Sequence, residues 1–342
     1  MKTAIGVLGG GSWGTALAMV LAKQGKDVEI WMRDEEYVEK VSLARENYKY
    51  LPGVLLPENI SLSSDLQSVA TEKAILIMAV PTQVVRETCE KAKPWIAEDT
   101  VIVNVAKGIE NDTLYRLSEV IGEVLPRNKY AILSGPTHAE EVSRDYPTTI
   151  VAASEDEAVA NYIQDMFMTP KFRVYTNNDV IGVELGGALK NIIAVGAGIS
   201  DGLKYGDNAK AALMNRGITE IARLGEAMGA NKMTFTGLSG IGDLIVTCTS
   251  MHSRNRRAGI KIGEGMRVEE AVKSIGMAVE GIKTAKTIKQ LMEKYQVEMP
   301  ISDTIYRVLY EDLDPNEAVI GLMMRDKKQE LVHLKENQTF GW

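Results

Sequence analysis

Short apolar runs recur through the first half of the chain, and segments with the spacing of amphipathic helices lie between them. Continuous apolar runs of this length are typical of parallel strands that are covered on both faces. The pattern therefore predicts a doubly wound α/β domain with a mostly parallel sheet. The predicted strands are AIGVLG (4–9), VEIWM (28–32), AILIMAV (74–80), TVIVNVA (100–106), YAILSG (130–135), TTIVAAS (148–154) and FRVYT (172–176).

After about residue 178, apolar residues recur at helical spacing instead. This change predicts two domains, an α/β domain over residues 1–178 and a helical domain over residues 179–342. No Pro/Ser-rich linker lies at the joint, so we expect the two domains to pack tightly. The helices predicted for the second domain span 180–201, 208–229, 254–264, 267–275, 279–295 and 301–310.

Composition and charge narrow the class of protein. The chain has 39 basic and 46 acidic side chains and a net charge of −7, which repels polyanions, so we expect no nucleic-acid partner. Cys89 and Cys248 are far apart, and His138, His252 and His333 are isolated from one another in the sequence. We therefore expect neither a disulfide framework nor a metal site, and a reduced, cytoplasmic setting fits.

The stretch VIGVELGGALKNIIAVGAGIS (180–200) is long and apolar enough to span a bilayer, but Glu184 and Lys190 lie near its centre. Charged side chains are costly at that depth, so a buried helix is favoured over a membrane span. The N-terminal segment MKTAIGVLGG lacks the basic region and cleavable apolar stretch of a signal peptide.

The segment GGGSWG (9–14) contains a GxGxxG motif on Gly9, Gly11 and Gly14, between the first predicted strand and a helix. Such glycines permit a tight turn, close approach of the backbone to a pyrophosphate, and close packing of the helix on the strand. The strand before the motif and the helix after it favour a dinucleotide site over a merely flexible turn.

The second predicted strand ends in WMRD, so Arg33 precedes Asp34 where a lone acidic residue would bind the ribose hydroxyl of NAD. An arginine there can pair with the 2′-phosphate of NADP. NADP(H) is therefore the favoured cofactor and NAD(H) the alternative, unless Arg33 is simply a surface charge.

Lys190 lies in mid-helix, and Gly186, Gly187, Ile193 and Ala194 share its face. None of these neighbours can neutralise an ammonium group, and the glycines allow another backbone or a flat ring to come close. Burial lowers the pKa of a lysine and makes it a usable acid or base near neutral pH. The alternative is a lysine that extends to the domain surface with its ammonium in water.

Two further segments follow strands at the edge where open α/β sheets place ligands. NVAKGIE (104–110) brings Lys107 to this edge, and LSGPTHAEEV (133–142) brings Thr137. The alternatives are a solvated lysine and an ordinary strand-to-helix turn.

Asp243 is a carboxylate on the otherwise apolar segment TGLSGIGDLIVTC (236–248), and Lys190 is its obvious partner unless it caps a helix. In TSMHSRNRR (249–257), Ser253, Arg254 and Asn255 stand at a predicted helix start and suit one phosphate dianion. An ordinary capped basic helix end and a nucleic-acid patch are the alternatives. A nucleic-acid patch would need further basic clusters or interleaved aromatic residues, which the sequence lacks.

Together these segments closely resemble the bacterial NAD(P)-dependent glycerol-3-phosphate dehydrogenase family, from about residue 3 to residue 310. The motifs that carry the resemblance are GGGSWGTALA, WMRD, NVAKGIE, LSGPTHAEEV, ELGGALKNIIAVGAGI, GLSGIGDLIVTCTS, HSRNRRAG and VEGIKTA. The resemblance implies a Rossmann-like domain followed by a helical substrate domain like the C-terminal domain of 6-phosphogluconate dehydrogenase. It also implies interconversion of dihydroxyacetone phosphate and sn-glycerol 3-phosphate, usually towards phospholipid synthesis.

Carried over position by position, the resemblance makes Lys190 the proton donor and acceptor, with Asp243 orienting it and Lys107 touching both substrate and cofactor. The residues it implies along the substrate are Lys107, Gly135, Thr137, Lys190, Asp243, Ser253, Arg254 and Asn255. Those it implies along the cofactor are Gly9, Gly11, Ser12, Trp13, Gly14, Arg33, Tyr50, Lys107, Ala139, Arg254, Ala278 and Glu280.

Asp34 and Ala278 depart from the pattern of many relatives, and both bear on cofactor preference. The nearest alternative function is another lysine-dependent NADP dehydrogenase of the β-hydroxyacid or 6-phosphogluconate type. A non-catalytic dinucleotide-binding regulator is the alternative from another class, although it would need none of Lys107, Lys190 and Asp243. The helical domain could also carry a homodimer interface.

Overall fold

The computed structural model describes residues 4–327, and within them the first half of the chain builds one eight-stranded sheet. All seven predicted strands are present within a residue or two of their expected limits. The strands are β1 (Ile5–Leu8), β2 (Val28–Trp31), β3 (Ile60–Ser63), β4 (Ile75–Met78), β5 (Val101–Asn104), β6 (Tyr130–Ser134), β7 (Thr148–Ala153) and β8 (Phe172–Asn177).

The strand order is β3-β2-β1-β4-β5-β6-β7-β8, and every neighbouring pair is parallel except β6 with β7. The predicted fold class, a mostly parallel α/β sheet followed by a helical domain, is confirmed. The edge strand β3 was not predicted. Its sequence ISLS alternates apolar and polar residues, because the strand is buried less completely than the central strands.

Helices cover both faces of this sheet and connect its strands. They are α1 (Ser12–Ala22), α2 (Glu35–Ala44), α3 (Leu66–Ala70), α4 (Val85–Ala92), α5 (Leu117–Val124), α6 (Ala139–Val142) and α7 (Glu157–Phe167). Because the strands before α1, α4 and α6 run in one direction, the loops at their carboxyl ends meet at one edge of the sheet.

The second half is helical, as the sequence predicts. Its helices are α8 (Val180–Gly202), α9 (Gly206–Ala227), α10 (Asp243–Thr249), α11 (Arg254–Gly263), α12 (Val268–Ile275), α13 (Glu280–Tyr295), α14 (Pro300–Tyr310) and α15 (Pro315–Met323), with one π-helical turn at Leu238–Gly242. Among the described residues, α8 is long and apolar enough to cross a membrane, yet 94% of its apolar window is buried inside the protein. The buried-helix interpretation of this stretch agrees with that burial.

Helices α8 and α11 cross with their backbones in contact. A methyl group on Gly198 would collide with the carbonyl oxygen of Arg256, and one on Gly259 would collide with that of Val195. Only glycine therefore allows the two helices to approach this closely. The contact fixes the start of α11 relative to α8.

The two halves also share buried contacts. Glu184 of α8 accepts hydrogen bonds from Ser118 N, Ser118 Oγ and Tyr130 Oη, each at 2.7 Å, and from Arg116 Nη1 at 3.0 Å. In addition, Ile109 from the loop after β5 lies in the hydrophobic core of the helical half. Glu184, whose charge would be costly inside a membrane, thus joins the helical half to the half that contains the sheet.

Candidate active site

The glycine-rich turn between β1 and α1 has the geometry of a phosphate-binding turn. Gly9 has φ +119°, and a Cβ there would lie 2.7 Å from the backbone of Ala79. Gly14 packs against the carbonyl oxygen of Gly9, whereas a Cβ on Gly11 would meet no atom within 4 Å. Two of the glycines thus close the turn, and the third leaves open space at the start of α1, where backbone N–H groups favour an anion.

Asn47, which the sequence analysis did not single out, holds this turn from behind. Its Nδ2 donates to the carbonyl oxygen of Gly10 at 2.9 Å and to Thr15 Oγ1 at 2.8 Å, and its Oδ1 accepts from Tyr37 Oη at 2.7 Å. Asn47 is fully buried. No local motif marks it, because the two residues of the turn to which it donates lie more than 30 positions away in the sequence.

Asp34, one of the two departures from the family pattern, caps a helix. Its Oδ1 accepts from Tyr37 N at 3.1 Å at the start of α2. Arg33 beside it is exposed, and nearby the rings of Tyr37 and Tyr50 lie 6.0 Å apart. The acid is therefore engaged by the helix end, and the arginine side chain is exposed at the carboxyl end of β2.

A buried carboxylate joins the two candidate lysines. Asp243 Oδ1 pairs with Lys190 Nζ, and its Oδ2 pairs with Lys107 Nζ at 2.7 Å. Asp243 is 1% exposed and Lys190 is 5% exposed. Pairing with Lys190 was predicted, whereas the second ion pair, which ties Lys107 of the first half into the same cluster, was not.

Lys190 has the properties of a proton-transfer group. Burial lowers the pKa of Lys190 to about 8, the Asp243 carboxylate opposes this change, and the Lys107 ammonium adds to it. Lys190 Nζ also donates to Thr247 Oγ1 at 2.6 Å, and that hydroxyl donates to the carbonyl oxygen of Asp243 at 2.6 Å. Thr247 lies one turn beyond Asp243 on α10, a helical spacing that could have indicated it from the sequence.

The glycines beside Lys190 let segments from both halves of the protein come close. A Cβ on Gly187 would lie 2.7 Å from Ser134 Oγ and 3.5 Å from Lys107, and Gly186 packs against the backbone at Ser239. This agrees with the prediction that another backbone comes close to this face of the helix. Lys107 is therefore placed directly over α8.

The strand-end loops hold Lys107 at this place. Asn104 Oδ1 accepts from Ala106 N at 3.1 Å in the loop after β5, and Lys107 Nζ donates to the carbonyl oxygen of Gly135 at 3.0 Å. Thr137 Oγ1 donates to the same carbonyl oxygen at 3.2 Å. The structure thus brings together Lys107, Gly135 and Thr137, and Lys107 is not a freely solvated lysine.

The predicted phosphate ligands lie at the start of α11, and their side chains make different contacts. Ser253 caps the helix by accepting from Arg256 N at 3.2 Å. Asn255 is buried, donates to Asn191 Oδ1 at 2.9 Å and accepts from Gly281 N at 2.9 Å. No hydrogen bond or ion pair to the Arg254 side chain is found in the described part of the chain, whereas Arg256 pairs with Asp201 at 2.8 Å, as expected of a structural arginine.

Four other candidate residues lie at or next to the starts of helices. Glu280 begins α13, burial raises its pKa, and the Arg254 guanidinium opposes that change most strongly. Ala139 is buried at the start of α6, and Ala278 is exposed just before α13. Trp13 Nε1 is buried without a hydrogen-bond partner among residues 4–327.

His138 and His252, isolated in the sequence, are neighbours in the structure, with ring centroids 5.5 Å apart. Their separation in the sequence gives no sign of this contact, because one ring comes from each half of the chain. His333 lies outside the described residues. Among residues 4–327, no group of three or more His, Cys, Asp or Glu side chains could hold a metal ion.

Comparison with known proteins relates the whole chain to one family. A model described as the NAD-dependent glycerol-3-phosphate dehydrogenase N-terminus matches residues 4–160, and one described as the C-terminus matches residues 179–320. Over 332 residues, the chain is 53% identical to glycerol-3-phosphate dehydrogenase, NAD(P)+, of Lysinibacillus sphaericus. The aligned residues cover 96% of this chain and 98% of that protein.

Two further proteins are similar to this chain over most of its length. The protein of the same name from Clostridium tetani is 52% identical over 323 residues, which cover 94% of this chain and 93% of that protein. The crystal structure of glycerol-3-phosphate dehydrogenase from Coxiella burnetii has a TM-score of 0.91 at 40% identity, covering 95% of this chain and 99% of that one.

Proposed function

The chain belongs to the NAD-dependent glycerol-3-phosphate dehydrogenase family, and from this premise we propose which of its residues perform the reaction. It is an oxidoreductase that uses NAD(P) and interconverts dihydroxyacetone phosphate and sn-glycerol 3-phosphate. This function is supported over the two alternatives from the sequence. The observation that carries the residue roles is the buried Lys190–Asp243–Lys107 cluster.

The glycine-rich turn fits the pyrophosphate of the cofactor. The space above Gly11 is open at the start of α1, and the Nε1 of Trp13 beside it has no partner within the described chain. Gly9, Gly14 and Ser12 would hold the pyrophosphate there, and Arg33, Tyr50, Ala139, Ala278 and Glu280 would lie along the rest of the cofactor. When bound, the nicotinamide supplies or accepts the hydride.

Lys190 moves the proton. In the reducing direction its ammonium donates a proton to the C2 oxygen of dihydroxyacetone phosphate, and in the oxidising direction the neutral amine accepts it. Asp243 orients Lys190 through their ion pair, and Thr247 fixes the same nitrogen from another side. Lys107 stabilises negative charge on the C2 oxygen, which preorganised groups of this kind do by a few kcal/mol.

The start of α11 binds the phosphate of the substrate. Arg254 supplies the positive charge, while Ser253 and Asn255 adjoin it at a helix start that favours anions. Gly135 and Thr137 line the same space from the first half. Binding the phosphate at a distance from C2 positions the reacting carbon.

Replacing Arg254 with alanine is expected to raise KM for dihydroxyacetone phosphate by roughly 10- to 100-fold, because a hydrogen bond to a charged group contributes about 1.5–3 kcal/mol. Steady-state kinetics at fixed NADPH measure this effect, and the melting temperature should change little. Arg267→Ala removes an exposed arginine from the same half and is the matched control. An unchanged KM in Arg254→Ala would remove Arg254 from the phosphate site.

Replacing Arg33 with alanine is expected to raise KM for NADPH by about 10-fold and to leave KM for NADH within about twofold, because only NADPH offers a 2′-phosphate. Lys40→Ala is the control, since Lys40 lies on the neighbouring α2 and pairs with Glu36. Equal effects on the two cofactors would contradict a preference for NADP(H) through Arg33.

The function itself is tested by following NADPH and NADH absorbance with dihydroxyacetone phosphate and the purified wild-type protein. Oxidation of either cofactor that depends on this substrate is the expected result. No oxidation with either would contradict the assignment, whatever the variants do.

We also propose a cellular setting and an oligomeric state for the enzyme. A cytoplasmic enzyme that supplies glycerol 3-phosphate for phospholipid synthesis fits the two reduced, buried cysteines and the burial of α8. We also propose no nucleic-acid partner and a homodimer formed by the helical half. The division into domains at residues 178 and 179 is supported by the limits of the two family matches, and residues 328–342 lie outside the described chain.

A further inference from the structure

Two histidines from opposite halves meet beside the Lys190 cluster. His138 lies between β6 and α6, and His252 lies between α10 and α11. Their ring centroids are 5.5 Å apart and their planes are tilted by 52°. His138 follows Thr137 directly, and His252 directly precedes Ser253. The pair therefore connects the two segments to which we assign the substrate.

One ring nitrogen of this pair is buried without a hydrogen-bond partner in the described part of the chain. Nε2 of His138 is buried and makes no hydrogen bond within residues 4–327. His138 is the residue that caps α6, but its side chain takes no part in capping. Nearly all buried polar atoms in folded proteins are bonded to protein, water or a ligand, and leaving one unbonded is costly. This nitrogen is therefore available to a bound molecule.

The charges around His138 favour a neutral ring in the free protein. Burial lowers the pKa of His138, and the Lys190 ammonium and His252 lower it further, whereas Glu140 and Glu141 on its own helix raise it. A neutral imidazole has one N–H donor and one acceptor nitrogen. It can therefore bond an oxygen of the substrate without adding a further positive charge beside Lys190 and Lys107.

We propose that His138 is a positioning residue for the reaction, its Nε2 hydrogen-bonding an oxygen of the bound three-carbon phosphate between C2 and the phosphate group. The inference rests on the proposed phosphate site at Ser253 and Arg254. Lys190 would hold the C2 oxygen and Arg254 the phosphate, and His138 would limit rotation between these two groups. Limiting rotation aligns C2 for reaction and lowers the entropic part of the barrier.

Three variants test this role: His138→Ala, His138→Gln and His252→Ala. His138→Ala is expected to raise KM for dihydroxyacetone phosphate by about 10-fold, the size of one typical hydrogen bond. KM for NADPH should stay unchanged. The melting temperature without ligand should stay equal or rise, because an unbonded buried nitrogen is removed.

His138→Gln separates hydrogen bonding from packing. Its side-chain amide can place a nitrogen near the position of Nε2, so we expect KM to return to within about threefold of wild type. His252→Ala is the matched loss of an imidazole; because His252 is exposed, its nitrogens can bond water, and we expect a smaller rise in KM.

Three results would overturn the role of His138. They are an unchanged KM in His138→Ala, an equal rise in His138→Ala and His252→Ala, and no recovery in His138→Gln. Calorimetry of glycerol 3-phosphate binding to the same variants checks that KM follows binding. Turnover by the wild-type enzyme tests the function separately, so active variants with unchanged KM would contradict this inference alone.

Discussion

Replacing Lys190 with alanine is expected to lower kcat for reduction of dihydroxyacetone phosphate by roughly 10³- to 10⁴-fold, because the C2 oxygen then lacks its proton donor. Lys190 is buried beside Asp243. Stopped-time assays of NADPH absorbance with high enzyme concentration measure the residual rate. Full activity in the variant would exclude Lys190 as the acid.

The rate of the wild-type reaction should also depend on pH, in a direction that the pKa of Lys190 determines. Burial lowers the pKa of Lys190 to about 8, so the ammonium needed for reduction is lost as pH rises through that value. Wild-type kcat/KM for reduction should fall about 10-fold per pH unit above pH 8, whereas glycerol 3-phosphate oxidation should rise up to that pH.

A small amine offers a sharper control for Lys190→Ala. Ammonium or methylamine added to the variant should restore part of the rate, because the missing side chain leaves space for it beside Asp243. Lys210→Ala removes another largely buried lysine, which pairs with Asp201 at 2.7 Å, and should show no such rescue. If the amines do not raise the rate of Lys190→Ala and this variant also loses much of its stability, the role of Lys190 is structural.

Replacing Asp243 with asparagine is expected to lower kcat for reduction at pH 7 by about 10²- to 10³-fold, since Lys190 loses both its orienting partner and a charge that favours its protonated form. The pKa of Lys190 should fall, and the alkaline limb of kcat/KM should move to lower pH by about one to three units. Removing one member of a buried ion pair also costs about 3–5 kcal/mol of folding free energy.

Asp201→Asn is the matched control for Asp243→Asn. Asp201 also lies between two cations, pairing with Arg256 at 2.8 Å and with Lys210 at 2.7 Å, but it does not contact Lys190 in the described structure. It should lower the melting temperature and leave the alkaline limb in place. A limb that stays at the wild-type pH in Asp243→Asn would contradict the electrostatic role of Asp243.

The sequence predicted those features that rest on local patterns. Strands such as β1 and β4 are continuous apolar runs because they are buried on both faces. The GxGxxG turn is recognisable from its glycines together with the strand before it and the helix after it. The edge strand β3 lacks such a run, so apolarity did not reveal it. The Lys190–Asp243 pair was predictable because each charge lies in an apolar segment that offers no other partner.

Contacts between distant segments could not be predicted in this way. The Lys107–Asp243 ion pair joins residues 136 positions apart, and the His138–His252 contact joins one histidine from each half. Neither contact leaves a periodic or spaced signal, because each depends on how the two halves pack. Asn47 behind the glycine-rich turn was missed because Gly10 and Thr15, to which it donates, are also distant from it in the sequence.

The crossing of α8 and α11 at their glycines also bears on the distance between two parts of the proposed active site. Lys190 and Arg254 stand on these two helices, whose backbones touch at Gly198 and Gly259. The span from the proposed proton donor to the proposed phosphate ligand therefore lies within one half of the chain. A substrate with one methylene more or less could reach one of these residues but not both, so we expect the enzyme to select its substrate by length.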